Sequence, residues 1–340
     1  MKKFQYIDFA SLILSLMVVF IHVSSEIIAV YPKEGWLYPY VFIIWKLCSY
    51  AVPAFIFLSG FKLFLNEKIM DMSYGLYLKK RLKSIVVPYV IWFCIYYLYF
   101  IRYGYYTFNG VEMIKMFFLG NLVSHFYFIT IIVQFYLLFP LWKTMLKAKP
   151  WIGITIALGL TLFLKHLMGT NGFIYIDRVF STYLIYWILG CYMGRYKDVI
   201  IKKMIPYNGI ILGVFVVMAF VHIYRSVDQS LYNVLYPHAE EWHILFCVLG
   251  ALATLSFSHG LAEKSKVARA LAEKFGPLTF QVYLLHVLVI YIVNDQLIKY
   301  DFTLGMRFGI RFIMTYSISF FMAWLLHNTL QKYKGLMKRA

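Results

Sequence analysis

Residues 8–29 read DFASLILSLMVVFIHVSSEIIA. The run is apolar enough and long enough to cross about 30 Å of hydrocarbon at about 1.5 Å of helix rise per residue. Its polar residues are not scattered. With His22 set at zero and about 100° per residue, Ser11 and Ser15 fall within about 20° of it, Asp8 and Glu26 within about 40°, and Ser25 about 60° away. Only Ser24 points to the opposite face. Polar groups inside a span are costly and face protein or a water-filled cavity. The spacing therefore predicts a helix with one hydrophilic stripe along a hollow and an otherwise apolar surface. His22 lies roughly 21 Å along this helix from Asp8, in the outer half of the bilayer. Glu26, one turn further out, is expected to reach the imidazole and orient it as a general base. A core histidine beside an interfacial glutamate is the competing reading of the same pair.

The rest of the chain sets this helix in a membrane. Hydrophobic residues make up 62% of the 340 residues and charged residues 14%, against about 45–50% and 25% in soluble domains. That much apolar surface needs lipid as its solvent, which excludes a cytosolic enzyme, a secreted domain and a disordered regulator. Ten apolar segments are long enough to span: 8–29, 40–63, 84–102, 124–146, 150–168, 178–196, 206–225, 241–262, 277–298 and 306–331. The stretch 262–275, AEKSKVARALAEKF, is short, basic and amphipathic, and is expected to lie as a helix on the membrane surface. The expected fold is thus an all-α polytopic bundle of about ten transmembrane helices, residues 1–340 forming one integral membrane domain. The loops are modest, so any chemistry belongs inside the bundle.

The net charge of +18 sits mostly in short links between spans, a topology signal and not a nucleic-acid footprint. With the N-terminus inside, the inner links collect most of the lysines and arginines, Lys2 and Lys3 at one end, Lys338 and Arg339 at the other. The outer sections, span ends included, hold only Lys33, Arg102, Lys115, Lys165, Arg178, Arg225, Lys299, Arg307 and Arg311, while Lys46 falls inside the second span. Both termini are therefore expected to be cytoplasmic. The four cysteines lie inside apolar runs without paired spacing and read as small core residues. No second histidine lies three or four residues from His22. His125 and His286 could join it only through folding, so no metal is expected.

Five stretches resemble the membrane-bound acyltransferase-3 family, whose members O-acylate cell-surface glycans. They are Ile7-Asp8-Phe9 running to Ile21-His22; Val52-Pro53-Ala54-Phe55-Ile56-Phe57-Leu58-Ser59-Gly60-Phe61; the basic Tyr77-Leu78-Lys79-Lys80-Arg81-Leu82-Lys83 leading to Pro88-Tyr89; His125-Phe126-Tyr127-Phe128 with Tyr136 and Pro140; and Phe275-Gly276 with Val282-Tyr283-Leu284-Leu285-His286. They occur in family order. One position departs: where the family places an arginine eleven residues before the histidine, this chain has Ser11. Another cation is expected to take over, with Lys80, Arg81 and Lys83 the candidates and Arg81 foremost. Topology signalling explains the same cluster equally well.

The resemblance implies acyl transfer from a cytoplasmic acyl-CoA, acetyl or succinyl, to a hydroxyl of an extracytoplasmic glycan, at the cell membrane. His22 and Glu26 are then the catalytic pair. Arg81, Lys80, Lys83 and Ser11 bind the donor, and His125 the acceptor. Asp8, Ser15, Tyr283 and His286 line the cavity. Acyl-CoA is a co-substrate, no cofactor is held permanently, and the partners are the glycan, the bilayer and the polysaccharide synthesis machinery, with no nucleic acid. Three other readings stand beside it: a non-enzymatic exporter of surface polysaccharide, a glycan polymerase or ligase, and an ion-coupled transporter. Pro53, Pro88 and Pro140 are expected to bend their helices and open the cavity.

Overall fold

The computed structural model describes residues 5–337, with side chains through residue 332. The basic residues Lys2, Lys3, Lys338 and Arg339, and the side chain of Lys334, all read as markers of cytoplasmic ends, lie outside the described residues. Regular structure among the described residues is entirely helical. In chain order the helices are α1 Gln5–Val23, α2 Ser25–Val30, α3 Leu37–Leu47, α4 Ala51–Phe64, α5 Tyr74–Arg102, α6 Gly110–Leu119, α7 Tyr127–Leu137, α8 Phe139–Met145, α9 Pro150–Thr170, α10 Leu184–Arg195, α11 Lys197–Met204, α12 Asn208–Tyr232, α13 Ala239–Lys264, α14 Lys266–Phe275, α15 Thr279–Leu297 and α16 Leu304–Met337.

The apolar segments became helices, with two changes of geometry. Among the described residues, eight helical stretches are long and apolar enough to cross a membrane, and α7 with α8 forms a ninth bent by 62°. The segment expected at 178–196 is shorter than a span: a 3₁₀ turn at Phe180–Tyr183 leads into the 12-residue α10. The protein is a polytopic membrane protein. Of the three prolines, Pro140 sits in the first turn of α8, at the bend. Pro88 lies inside α5, which runs on through it as one 29-residue helix, and Pro53 sits in the first turn of α4, where its missing N–H costs no hydrogen bond.

The chain divides into two compact units, one built from residues 1–54 and 203–340, the other from 55–202. In the first, α1 packs against α13, α14, α15 and α16, so it is an interior helix and not one with a broad lipid face. Helix α15 is buried at every residue from Val282 to Ile290, as an all-round apolar helix must be. Helix α16 is different. Its buried positions Arg311, Thr315, Ser319 and Ala323 recur every fourth residue, while Ile313, Met314, Phe321 and Leu325 are exposed. One narrow polar stripe of α16 thus faces inward. The expected surface helix begins at Lys266, because α13 continues to Lys264. The Ser265 side chain caps α14 by accepting from the Ala268 amide at 3.2 Å. Ala268 and Ala272 bury against Phe9 and Leu12 of α1, and Val267 and Leu271 stay exposed.

The second unit is held by close backbone approach. A Cβ at Gly190 would lie 2.1 Å from the Phe57 carbonyl oxygen, and one at Gly194 2.3 Å from that of Phe61. Gly190-x-x-x-Gly194 therefore lets α10 touch α4 along one face. Small residues do this work in lipid because apolar burial supplies little drive between helices.

Candidate active site

The first unit gathers a polar constellation from its two sequence ends. His22 occupies the last turn of α1. Its ring lies 5.2 Å, centroid to centroid, from that of His286 on α15. His286 is fully buried. Its Nδ1 donates to the carbonyls of Tyr283 at 2.8 Å and Val282 at 3.1 Å. Those bonds place the proton on Nδ1 and leave Nε2 as the acceptor nitrogen of the neutral ring. Tyr283, also buried, has its ring 6.2 Å from that of His286. Folding therefore joins two histidines separated by most of the chain.

Glu26 does not follow the expected geometry. The helix breaks at Ser24, whose hydroxyl donates to the Phe20 carbonyl at 2.6 Å, and Ser25 donates to the His22 carbonyl at 2.8 Å. The Glu26 carboxylate, on α2, accepts from Arg311 Nη1. Arg307 Nη1 stands 3.8 Å from its other oxygen. The expectation that Glu26 orients the His22 imidazole is corrected accordingly: the carboxylate is held by two guanidinium groups of α16.

Arg311 is the second correction. The charge count placed it in an outer link, yet it is 1% exposed. Its Nε donates to the Val23 carbonyl at 3.1 Å and its Nη1 also reaches Asn294 Oδ1 at 3.1 Å. The Val23 carbonyl ends α1, where carbonyls lack intrahelical partners. Further along the same helix, Tyr316 donates to the Leu16 carbonyl at 2.6 Å, so α16 runs antiparallel beside α1. Arg311 Nη2, Thr315 Oγ1, Ser319 Oγ and Ser15 Oγ are buried with no hydrogen-bond partner among the described residues. Thr315 and Ser319 share the inward face of α16 with Arg311, and Ser15 is buried on α1. Arg311, Asn294, Thr315 and Ser319 were missed by sequence reasoning. The signal for Arg311, Thr315 and Ser319 was their four-residue spacing within an apolar span; Asn294 had none.

The remaining expected residues are placed as follows. Ser11 is buried and donates to the Ile7 carbonyl at 2.8 Å, and Asp8 packs against Gly276, where a Cβ would come within 2.6 Å of it. Lys80, Arg81, Lys83 and His125 belong to the other unit. Lys80 and Lys83 are exposed and Arg81 is half-buried, one turn beyond Tyr77, whose ring stacks on Phe139 at 3.9 Å. His125 precedes α7 and is 1% exposed, with its ring 6.0 Å from that of Tyr96. Among the described residues no group of three or more His, Cys, Asp or Glu is placed to hold a metal ion.

The all-helical membrane bundle thus brings two imidazoles together and buries a guanidinium beside the end of α1. The model of the acyltransferase-3 family, an acyltransferase domain, matches residues 4–327. The chain belongs to this family and is a membrane acyltransferase. No curated protein and no solved structure matches it.

Proposed function

We propose that the enzyme moves an acetyl or succinyl group from cytoplasmic acyl-CoA to a hydroxyl of an extracytoplasmic glycan, a surface polysaccharide or cell-wall polymer. On this reading it sits in the plasma membrane with both termini in the cytoplasm, alongside the polysaccharide synthesis machinery. The observation that carries the proposal is the His22 ring lying 5.2 Å from that of His286, with Arg311 bonded to the carbonyl of the adjacent Val23. His22 removes the proton of the acceptor hydroxyl. The freed oxygen attacks the thioester carbonyl, the C–S bond breaks, and the CoA thiolate takes the proton back from His22. Arg311 Nη2 supplies a buried donor for the negative charge that develops on the carbonyl oxygen. His286, its Nδ1 tied to two carbonyls, positions His22. The basic Lys80, Arg81 and Lys83 attract the phosphates of the donor, and Ser11 and Ser15 edge the path of its acyl arm. His125 contributes to the acceptor side.

The test is mass analysis of surface glycans from cells carrying His22→Ala in place of the parent chain, with alkaline treatment to confirm that the mass difference is an ester. The expected result is a normally inserted protein and no ester. Retained ester in that strain would remove His22 from the chemistry.

A further inference from the structure

A polar cavity lies in the first unit, lined by none of the residues assigned above. It has a volume of about 240 Å³ and opens between α3, α12, α13 and the link that joins the last two. Lys46, Arg225, His222, His243, Tyr236 and Trp242 are among its lining residues. Two features make it a built site. First, Arg225 is fixed in place: its guanidinium lies 4.6 Å from the Tyr236 ring centre and 5.3 Å from that of Trp242, and its Nη2 donates to the Pro237 carbonyl at 2.9 Å. Second, the positive charge is not spent internally. Among the described residues neither Arg225 nor Lys46 has a carboxylate within ion-pair distance. The nearest acid in sequence, Asp228, accepts from the Tyr236 hydroxyl. That bond pushes the phenol up to about 12, so Tyr236 brings no charge of its own.

Lys46 is an ammonium group inside an apolar span, stacked over Phe42 and Trp45 at 5.4 and 5.0 Å. Such a residue marks a functional position by default. His222 is held as well, flat on Phe246 at 4.0 Å and 3.3 Å from Ser49 Oγ. The cavity therefore offers a forked cation, a point cation and two imidazoles facing an aromatic wall. A fixed guanidinium matches a phosphate's oxygens in geometry as well as charge. The Trp242 and Tyr236 rings offer apolar faces of the kind that C–H faces of a sugar pack on. The volume is below the roughly 300–1,000 Å³ of drug-sized sites, which fits a head group and excludes a long chain.

We propose that this cavity binds a phosphate-bearing saccharide unit, with Arg225 and Lys46 on the phosphoryl group and Trp242 against the sugar. The proposal concerns binding alone and does not depend on the acyl-transfer reading. It is tested by calorimetric titration of the purified full chain, in phosphatidylcholine nanodiscs, with glucose 1-phosphate, inorganic phosphate and glucose as probes. The expected order is glucose 1-phosphate tightest, phosphate weaker and glucose weakest. Arg225→Gln and, separately, Lys46→Gln should each weaken glucose 1-phosphate by about tenfold or more, the loss of a charge-assisted hydrogen bond. Among the described residues the Lys46 ammonium makes only ring contacts, and its backbone is untouched by the change, so its variant leaves the fold intact should Arg225→Gln loosen the link. Equal binding by wild type and the Lys46 variant overturns the proposal, as does no binding by wild type. Displacement of glucose 1-phosphate by phosphatidylglycerol in the nanodisc also overturns it, by showing the site to be a lipid site.

Discussion

Replacing Arg311 by Met tests the internal logic of the α1–α16 contact. The substitution keeps the length of the side chain and removes three polar contacts: to Glu26, to the Val23 carbonyl and to Asn294. Polar contacts between membrane helices average about 0.6 kcal/mol each, which sets a floor near 2 kcal/mol for the three. Removing one partner of a buried ion pair costs about 3–5 kcal/mol, because the other charge is stranded. Glu26 is 30% exposed and keeps Arg307 at 3.8 Å, so the full figure does not apply. The expected loss is about 2–4 kcal/mol. It is read as reversible unfolding in detergent or bicelles. The decisive comparison is with Arg311→Met combined with Glu26→Gln. A neutral amide leaves no stranded charge, so the double variant should recover part of the loss despite carrying one more substitution. A single variant within about 0.5 kcal/mol of wild type, the range of ordinary surface changes, would refute the reasoning. So would a double variant less stable than the single one.

Three further outcomes follow from the geometry. His286→Ala should lower the rate constant of acyl transfer about tenfold or more while the donor KM moves little, since the ring positions His22 and does not bind donor; steady-state kinetics in proteoliposomes separate the two. Gly190→Ala should destabilise by about 1–3 kcal/mol through overpacking against the Phe57 carbonyl, whereas Gly159→Ala, whose Cβ would meet nothing within 4 Å, should stabilise by about 0.5–1 kcal/mol; thermal unfolding of the pair checks both signs. The Tyr236 phenol is raised from 10.0 to about 12 by its hydrogen bond to Asp228. Its contribution to stability is therefore full below pH 10.0 and lost as the pH rises through about 12. A Tyr236→Phe variant should be less stable at neutral pH and converge on wild type across that window.

The spans were legible because a membrane helix must satisfy its own backbone, so each appears as a long apolar run. The 178–196 segment misled for a local reason: the run is mostly apolar, but Phe180–Tyr183, with Ser181 and Thr182 in it, turns as a 3₁₀ helix and α10 starts only at Leu184. The stripe on α1 was legible up to His22 because the helix is regular there. Stepping 100° per residue on to Glu26 could not show its partners, because Arg307 and Arg311 come from α16 at the other end of the sequence. Arg311 was misplaced because counting charges by section cannot distinguish an arginine in a link from one buried on a helix. Its partners Val23 and Glu26 lie at the other end of the chain, beyond any local pattern, although the Arg311, Thr315, Ser319 spacing was available to the same reasoning that found the α1 stripe.

The discontinuity of the first unit bears on how the enzyme is made. Residues 1–54 leave the ribosome early, yet α15 and α16, which bring His286 and Arg311 to His22 and Glu26, emerge only after the whole of 55–202. During synthesis the first helix must wait in the bilayer or the insertion machinery with an imidazole and a carboxylate still unmatched. The intervening unit can meanwhile settle on its own, since domains fold as units during translation. The contacts of α15 and α16 with α1 and α2 are thus among the last to form in biogenesis, and a nascent chain stopped short of α16 lacks the Arg311 bonds to Val23 and Glu26.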